Sequence, residues 1–178
     1  MRLNITYLSI GCFIVGMLFV AIQKEWVILR FNPHQPATTL QATCCKQTTT
    51  LYFWKNDSWQ QEQNDILWGP DLASNFTNLI QSWLVLLEEE KITRHKITLQ
   101  SALITPNLQT IYLSFDQSLF SQDFSTYQKL LIIEGLLKTL RYNHLTVPNI
   151  QILVQHKIAK DTHLDFSNPW PLTGFLNI

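Results

Sequence analysis

The chain has 178 residues, 46% of them hydrophobic and 15% charged, and its 13 lysines and arginines balance 13 aspartates and glutamates. The charged share is well under the ~25% of an ordinary soluble domain. A balanced chain with no basic cluster interleaved with aromatics has no field to draw in nucleic acid or an acidic surface, so nucleic-acid binding is set aside.

The low charge has a local source. From Leu3 to Gln23, "LNITYLSIGCFIVGMLFVAIQ", there is no charged side chain. A helix rising ~1.5 Å per residue crosses the ~30 Å hydrocarbon core with about 20 residues. Residues 1–22 are therefore read as one N-terminal transmembrane helix, touching the membrane through residues 3–22. A cleaved signal peptide is the competing reading, but its apolar core is usually ~7–15 residues, and no A-x-A pattern follows this run. A lipoprotein site at Cys12, after Ser9, Ile10 and Gly11, is a third; the most apolar part of the run lies beyond it. Arg2 on one side and Lys24 and Arg30 on the other give the positive-inside rule almost no bias.

Residues 23–48 carry Pro33 and Pro36 and are rich in threonine, as a tether between membrane and domain would be. Cys44 and Cys45 are neighbours. Adjacent Cα atoms are ~3.8 Å apart, too close for an ordinary bridge between the two. They are read as thiols of the tether, with a disulfide between anchored copies as the sharper alternative. There is no Cys-x-x-Cys zinc pattern.

The folded domain is expected over residues 49–178. "LYFW" (Leu51 to Trp54) is strand-forming, "KNDS" is turn chemistry, and "DILW" returns as a second short strand. Over 71–91, Leu72, Phe76, Leu79, Ile80, Trp83, Leu84 and Leu87 recur at helical spacing. Asp71 or Ser74 caps that helix, and Glu88 to Glu90 read as a solvated face. "KITLQSALI" (96–104), a Pro106-Asn107 turn and "TIYLSF" make a hairpin. Thr98, Gln100, Tyr112 and Ser114 form its polar face. Residues 125–144 form a helix apolar nearly all round, opened by a Ser125–Gln128 capping box. "NIQILVQHK" (149–157) is the last clear strand. The order predicts an α+β fold, a mixed or antiparallel sheet with two main helices packed on it.

Candidate chemistry is sparse. With five glycines in the chain, a phosphate-cradling loop is not expected, and no nucleophile-elbow, P-loop, Rossmann or H-E-x-x-H pattern is present. "DTHLD" places Asp161, His163 and Asp165 at alternating positions, as metal ligands on one strand face would be, with His156 nearby in sequence. A solvated strand edge produces the same pattern and is the reading adopted. His34, His95 and His144 share no spacing. Trp54 to Trp59 offers a stacking surface for a ligand, or ordinary packing. Asn4, Asn56 and Asn75 head N-x-S/T triplets, read as chance matches. Asp116 ends a strand, either as a catalytic carboxylate or as a turn residue. The turn reading is adopted, with its carboxylate accepting from the N–H groups that follow. No catalytic, cofactor-binding or metal-ligating residue is assigned, and no cofactor is expected.

"LQSALITPNLQTIYLSFDQSLF", then "STYQKLLIIEGLLKTL", then "IQILV" and "HLDFSNPW", resemble a GerMN domain in order and spacing. The matching positions are Leu113 to Phe120, Ser125 to Leu140, Ile150 to Val154 and Asp165 to Pro169. "TLYF" (Thr50 to Phe53) is similar to the family's opening strand. The resemblance covers about residues 50–170. It departs at Pro106 and Asn107, where the family often has glycine in the hairpin turn, and over 57–70. It implies an extracytoplasmic module of sporulation-type and other envelope proteins, resembling ring-building domains and without established catalytic residues. It also implies an N-in, C-out orientation. The expected function is a membrane-anchored, non-enzymatic binding or assembly module, whose partner is an envelope protein or a second copy. An anchored metal-dependent hydrolase using Asp161, His163 and Asp165, or a small-ligand receptor using Trp54 to Trp59, are the alternatives.

Overall fold

Residues 45–145 and 147–174 are described by the structure, a computed structural model. The expected anchor, the tether up to Cys44, and Cys12, His34 and Asn4 lie outside the described residues. Among the described residues, no helix is long and apolar enough to cross a membrane.

Strands β1 (Cys45–Lys55) and β2 (Ser58–Trp68) pair antiparallel along their whole length. Asn56 and Asp57 turn the chain with φ of 52° and 55°, the two left-handed residues of a tight hairpin turn whose twist matches the strands. Two expectations need correction. Residues 45–48, assigned to the tether, are strand, and β2 has 11 residues where only a short strand at "DILW" was foreseen. From Gln60 to Asp65 β2 is exposed on both faces. With no face buried there is no period to read, and the ladder to β1 holds the strand instead.

Helix α1 (Leu72–Glu89) starts at Asp71, whose Oδ2 accepts the Ser74 N–H at 3.0 Å. It ends with the Ile92 N–H on the Leu87 carbonyl at 2.9 Å and the Lys91 N–H on that of Glu88 at 3.0 Å. This is the pairing of a Schellman cap, and it puts Lys91 at φ 57° where glycine is usual. Phe76, Leu79, Ile80, Trp83 and Leu87 are its buried stripe.

Strands β3 (Leu99–Ile104) and β4 (Thr110–Phe115) form the expected hairpin, with a register shift between Leu99 and Ser101. Helix α2 (Thr126–Tyr142) begins with the Ser125–Gln128 capping box. It leads to β5 (Asn149–Val154), parallel to β4. The two short strands β6 (Lys157–Ile158) and β7 (Trp170–Pro171) both pair antiparallel with β5. The strand expected over 149–157 is thus broken. Gln155 and His156, at φ 50° and 62°, make a second tight turn without the asparagine or glycine that would announce one.

The sheet order is β3-β4-β5-β6 with β7 on β5, and the β1–β2 hairpin is a separate sheet. Helix α1 packs against β3 and against the hairpin, and α2 runs beside α1 along β1. The outer edge of β1 is satisfied by helix side chains in place of another strand. Asn143 accepts the Thr50 N–H at 3.1 Å and donates to the Thr50 carbonyl at 2.8 Å. Thr139 accepts the Tyr52 N–H at 2.8 Å, and the Trp83 indole N–H donates to the Tyr52 carbonyl at 2.9 Å. Gly135 permits this approach, because a β-carbon there would lie 3.1 Å from the Tyr52 carbonyl oxygen.

Candidate functional site

The hairpin tip, the C-terminal end of α1 and the N-terminal half of α2 enclose a cleft of about 720 Å³, within the ~300–1,000 Å³ usual for ligand sites. Trp54, Trp83, Phe124, Tyr127, Leu131 and Ile132 line it, with Lys55, Lys91 and Arg94 and a single acid, Asp57. Each cation is positioned by a different local cause. Lys55 ends β1 and pairs with Glu90 of the α1 cap. Arg94, in the loop after α1, pairs with Asp123 at 2.6 Å. Lys91 is held by the cap itself, and its ammonium makes no ion pair among the described residues.

The carboxylates singled out in the sequence lie elsewhere. Asp116 accepts the Thr98 N–H at 2.9 Å and donates its own N–H to the Thr98 carbonyl at 3.0 Å. It therefore adds a rung to the β3–β4 ladder, and its partner lies across the hairpin, not among the residues that follow. Asp161 Oδ2 takes the Lys129 ammonium at 2.6 Å, and Oδ1 takes the N–H groups of His163 and Leu164 at 2.9 and 3.2 Å. Burial pushes the Asp161 carboxyl up. The Lys129 hydrogen bond and charge and the two N–H groups outweigh it and hold the group below the ordinary carboxylate value. Asp165 accepts the Ser167 N–H at 2.8 Å, and Ser167, by side chain and then backbone, keeps it low as well. His163 is exposed, with Nδ1 3.5 Å from the Lys129 ammonium. Both oxygens of Asp161 are thus engaged, and a lysine occupies the position a metal would need. No three His, Cys, Asp or Glu side chains converge for a metal among the described residues.

His156 sits in the β5–β6 turn, where its N–H reaches the Ser114 hydroxyl at 2.9 Å. Ser114 belongs to the hairpin's expected polar face yet is buried. His95 and His144 stand in loops after α1 and α2. The rings of Trp54 and Trp59 meet edge-on with centroids 5.3 Å apart, and only Trp54 lines the cleft. Trp59 and Tyr52 instead carry the Lys138 ammonium over their rings, at 4.8 and 4.9 Å. Glu88 and Glu89 are exposed as expected, while Glu90 is engaged by Lys55. Asn75 is buried, its amide bonded to the N–H and carbonyl of Gly69 at 2.8 Å each, which leaves no room for a glycan. Cys45 is a free, exposed thiol.

Sequence reasoning passed over Lys129, Glu134 and Asn143. Glu134 and Arg141 are 2.5 Å apart, and Arg141 also donates to the Leu172 carbonyl at 2.8 Å, fastening the C-terminal turn. The signal was available. A charge on a helix apolar all round is buried and must bring a partner.

No family model matches the chain, and no curated protein matches it in sequence. Among solved structures, one from Clostridium perfringens described as a lipoprotein is 20% identical, over 71% of this chain and 87% of that one, with a TM-score of 0.47. The tandem GerMN domains of the sporulation protein GerM from Bacillus subtilis are 14% identical, with a TM-score of 0.39. That similarity covers 78% of this chain and 48% of that one.

Proposed function

We propose that the chain is a membrane-anchored, extracytoplasmic module of a bacterial envelope that binds a partner protein and performs no chemistry of its own. One observation carries the reading. The carboxylates of Asp116, Asp161 and Asp165 are taken up by backbone N–H groups and by Lys129, while the cleft gathers aromatic and cationic side chains suited to holding a ligand. A carboxylate that acts as general acid or base must be free and within reach of a substrate proton. These three close turns and fasten loops instead. Placement outside the cytoplasm is supported by the uncharged run Leu3 to Gln23 and by the GerMN resemblance of the motifs over residues 50–170.

Topology is tested by adding protease to intact spheroplasts that hold the full chain. The expected result is loss of the domain beyond the tether without detergent. A domain that survives until the membrane is dissolved would refute this placement.

A further inference from the structure

We propose that the cleft binds an extended acidic segment of the partner protein, added along the outer edge of β1 at Trp54, with its carboxylates held by Lys91, Lys55 and Arg94. The inference rests on the binding-module reading and names the chemistry of its ligand.

The first observation is an open piece of strand edge. Lys55 and Ser58 flank the two-residue turn and exchange ladder bonds, as do Phe53 with Gln60 and Leu51 with Glu62. The alternation turns the N–H and C=O of Thr50, Tyr52 and Trp54 away from β2. Asn143, Thr139 and Trp83 satisfy the first two residues. Two turns before Thr139 on α2, Leu131 and Ile132 line the cleft with Trp54 and have no polar side-chain atom to give. No side chain bonds the Trp54 backbone among the described residues. An unpaired edge of this kind takes up an incoming strand.

Hydrogen-bond donors choose the segment. Lys55 and Arg94 each already hold one carboxylate, Glu90 and Asp123, and keep further N–H groups, while Lys91 holds none among the described residues. Carboxylates at alternate positions of an extended chain therefore find donors there, strengthened where water is excluded. Tyr127, 53% exposed at the first turn of α2, offers a face for an apolar side chain between the acids.

Lys91 supplies an independent sign. Its left-handed backbone at the end of α1 favours glycine, and its ammonium makes no ion pair among the described residues. A strained position filled by a side chain the fold does not use points to binding. A glycan would use the cations and aromatics but has no peptide backbone to pair with Trp54.

The test uses the full chain in uncharged detergent micelles and a fluorescent, end-capped peptide of alternating glutamate and phenylalanine, followed by anisotropy. Saturable binding is expected, weakened about tenfold or more when glutamine replaces glutamate, or when the amides facing the strand are N-methylated. Lys91→Gly should bind about tenfold more weakly while its melting temperature stays equal or rises, which separates lost binding from lost folding. Absence of peptide binding overturns the inference. So does equal binding of the glutamine peptide, equal binding by Lys91→Gly, or stronger competition from a polyuronate. If the peptide fails while cross-linked envelope complexes persist in cells, this cleft is wrong and the module reading stands. Peptide binding without any complex would remove the module reading instead.

Discussion

Lys129 occupies a helix position surrounded by leucine and isoleucine, and its side chain is 1% exposed. Burying an ammonium is costly unless a carboxylate and hydrogen bonds accompany it. Asp161 supplies both and so pins the loop after β6 onto α2. Lys129→Met should cost roughly 3 kcal/mol at neutral pH, because it leaves a mostly buried carboxylate without its partner. In the native chain the Asp161 carboxyl is depressed. Its contribution is therefore complete above the ordinary value of about 3.9 and is lost only as pH falls through the lower folded value. In Lys129→Met the N–H groups of His163 and Leu164 still oppose burial, but the lysine's share of the lowering is gone. The variant therefore has less stability to lose than the native chain as pH falls below about 4, and its deficit should narrow on acidification. Melting curves at neutral and acid pH check this; a variant whose deficit grows on acidification would contradict it. The sequence showed Asp161 as a possible metal ligand because it lies in "DTHLD". What placed it was Lys129, 32 residues earlier in the chain, a pairing that no local pattern reveals.

At the scale of elements, legibility followed burial. Helix α1 buries one stripe and α2 nearly its whole surface, so both helices, their Asp71 and Ser125 caps and the β3–β4 hairpin stand in the periodicity. Strand β2 buries little besides Ile66, and the Gln155–His156 turn lacks the usual turn residues, so neither left a local signal. The β1 edge was equally hidden, because Asn143 serves it across 93 residues of chain. Asn143→Ala would strip both backbone groups of Thr50 of their partner in a buried place. The expected cost is about 1–3 kcal/mol for each group left unsatisfied, less where water enters. Hydrogen exchange should localise the loss to the β1–β2 hairpin, with the β3–β5 ladder still protected. A uniform loss across both sheets, or none, would show that this edge is not what joins hairpin to helix.

For the whole molecule, the α+β class and the order of the main elements were legible. The detachment of the first hairpin from the main sheet was not, since strand order depends on pairing between distant segments. The same detachment makes the cleft, because the hairpin tip overhangs the start of α2 and the end of α1. On the proposed reading of a membrane anchor and a tether, confinement to two dimensions would raise the effective concentration of neighbouring domains, so a modest contact at this cleft would suffice for assembly. The most direct measurement replaces Tyr127 with a photo-reactive amino acid in the full-length protein and irradiates living cells. The account predicts a discrete cross-linked species larger than the monomer, diminished when Lys91→Gly is added and absent when the photo-reactive residue stands at Tyr112 on β4, outside the cleft. A monomer alone from position 127, or the same species from both positions, would contradict it.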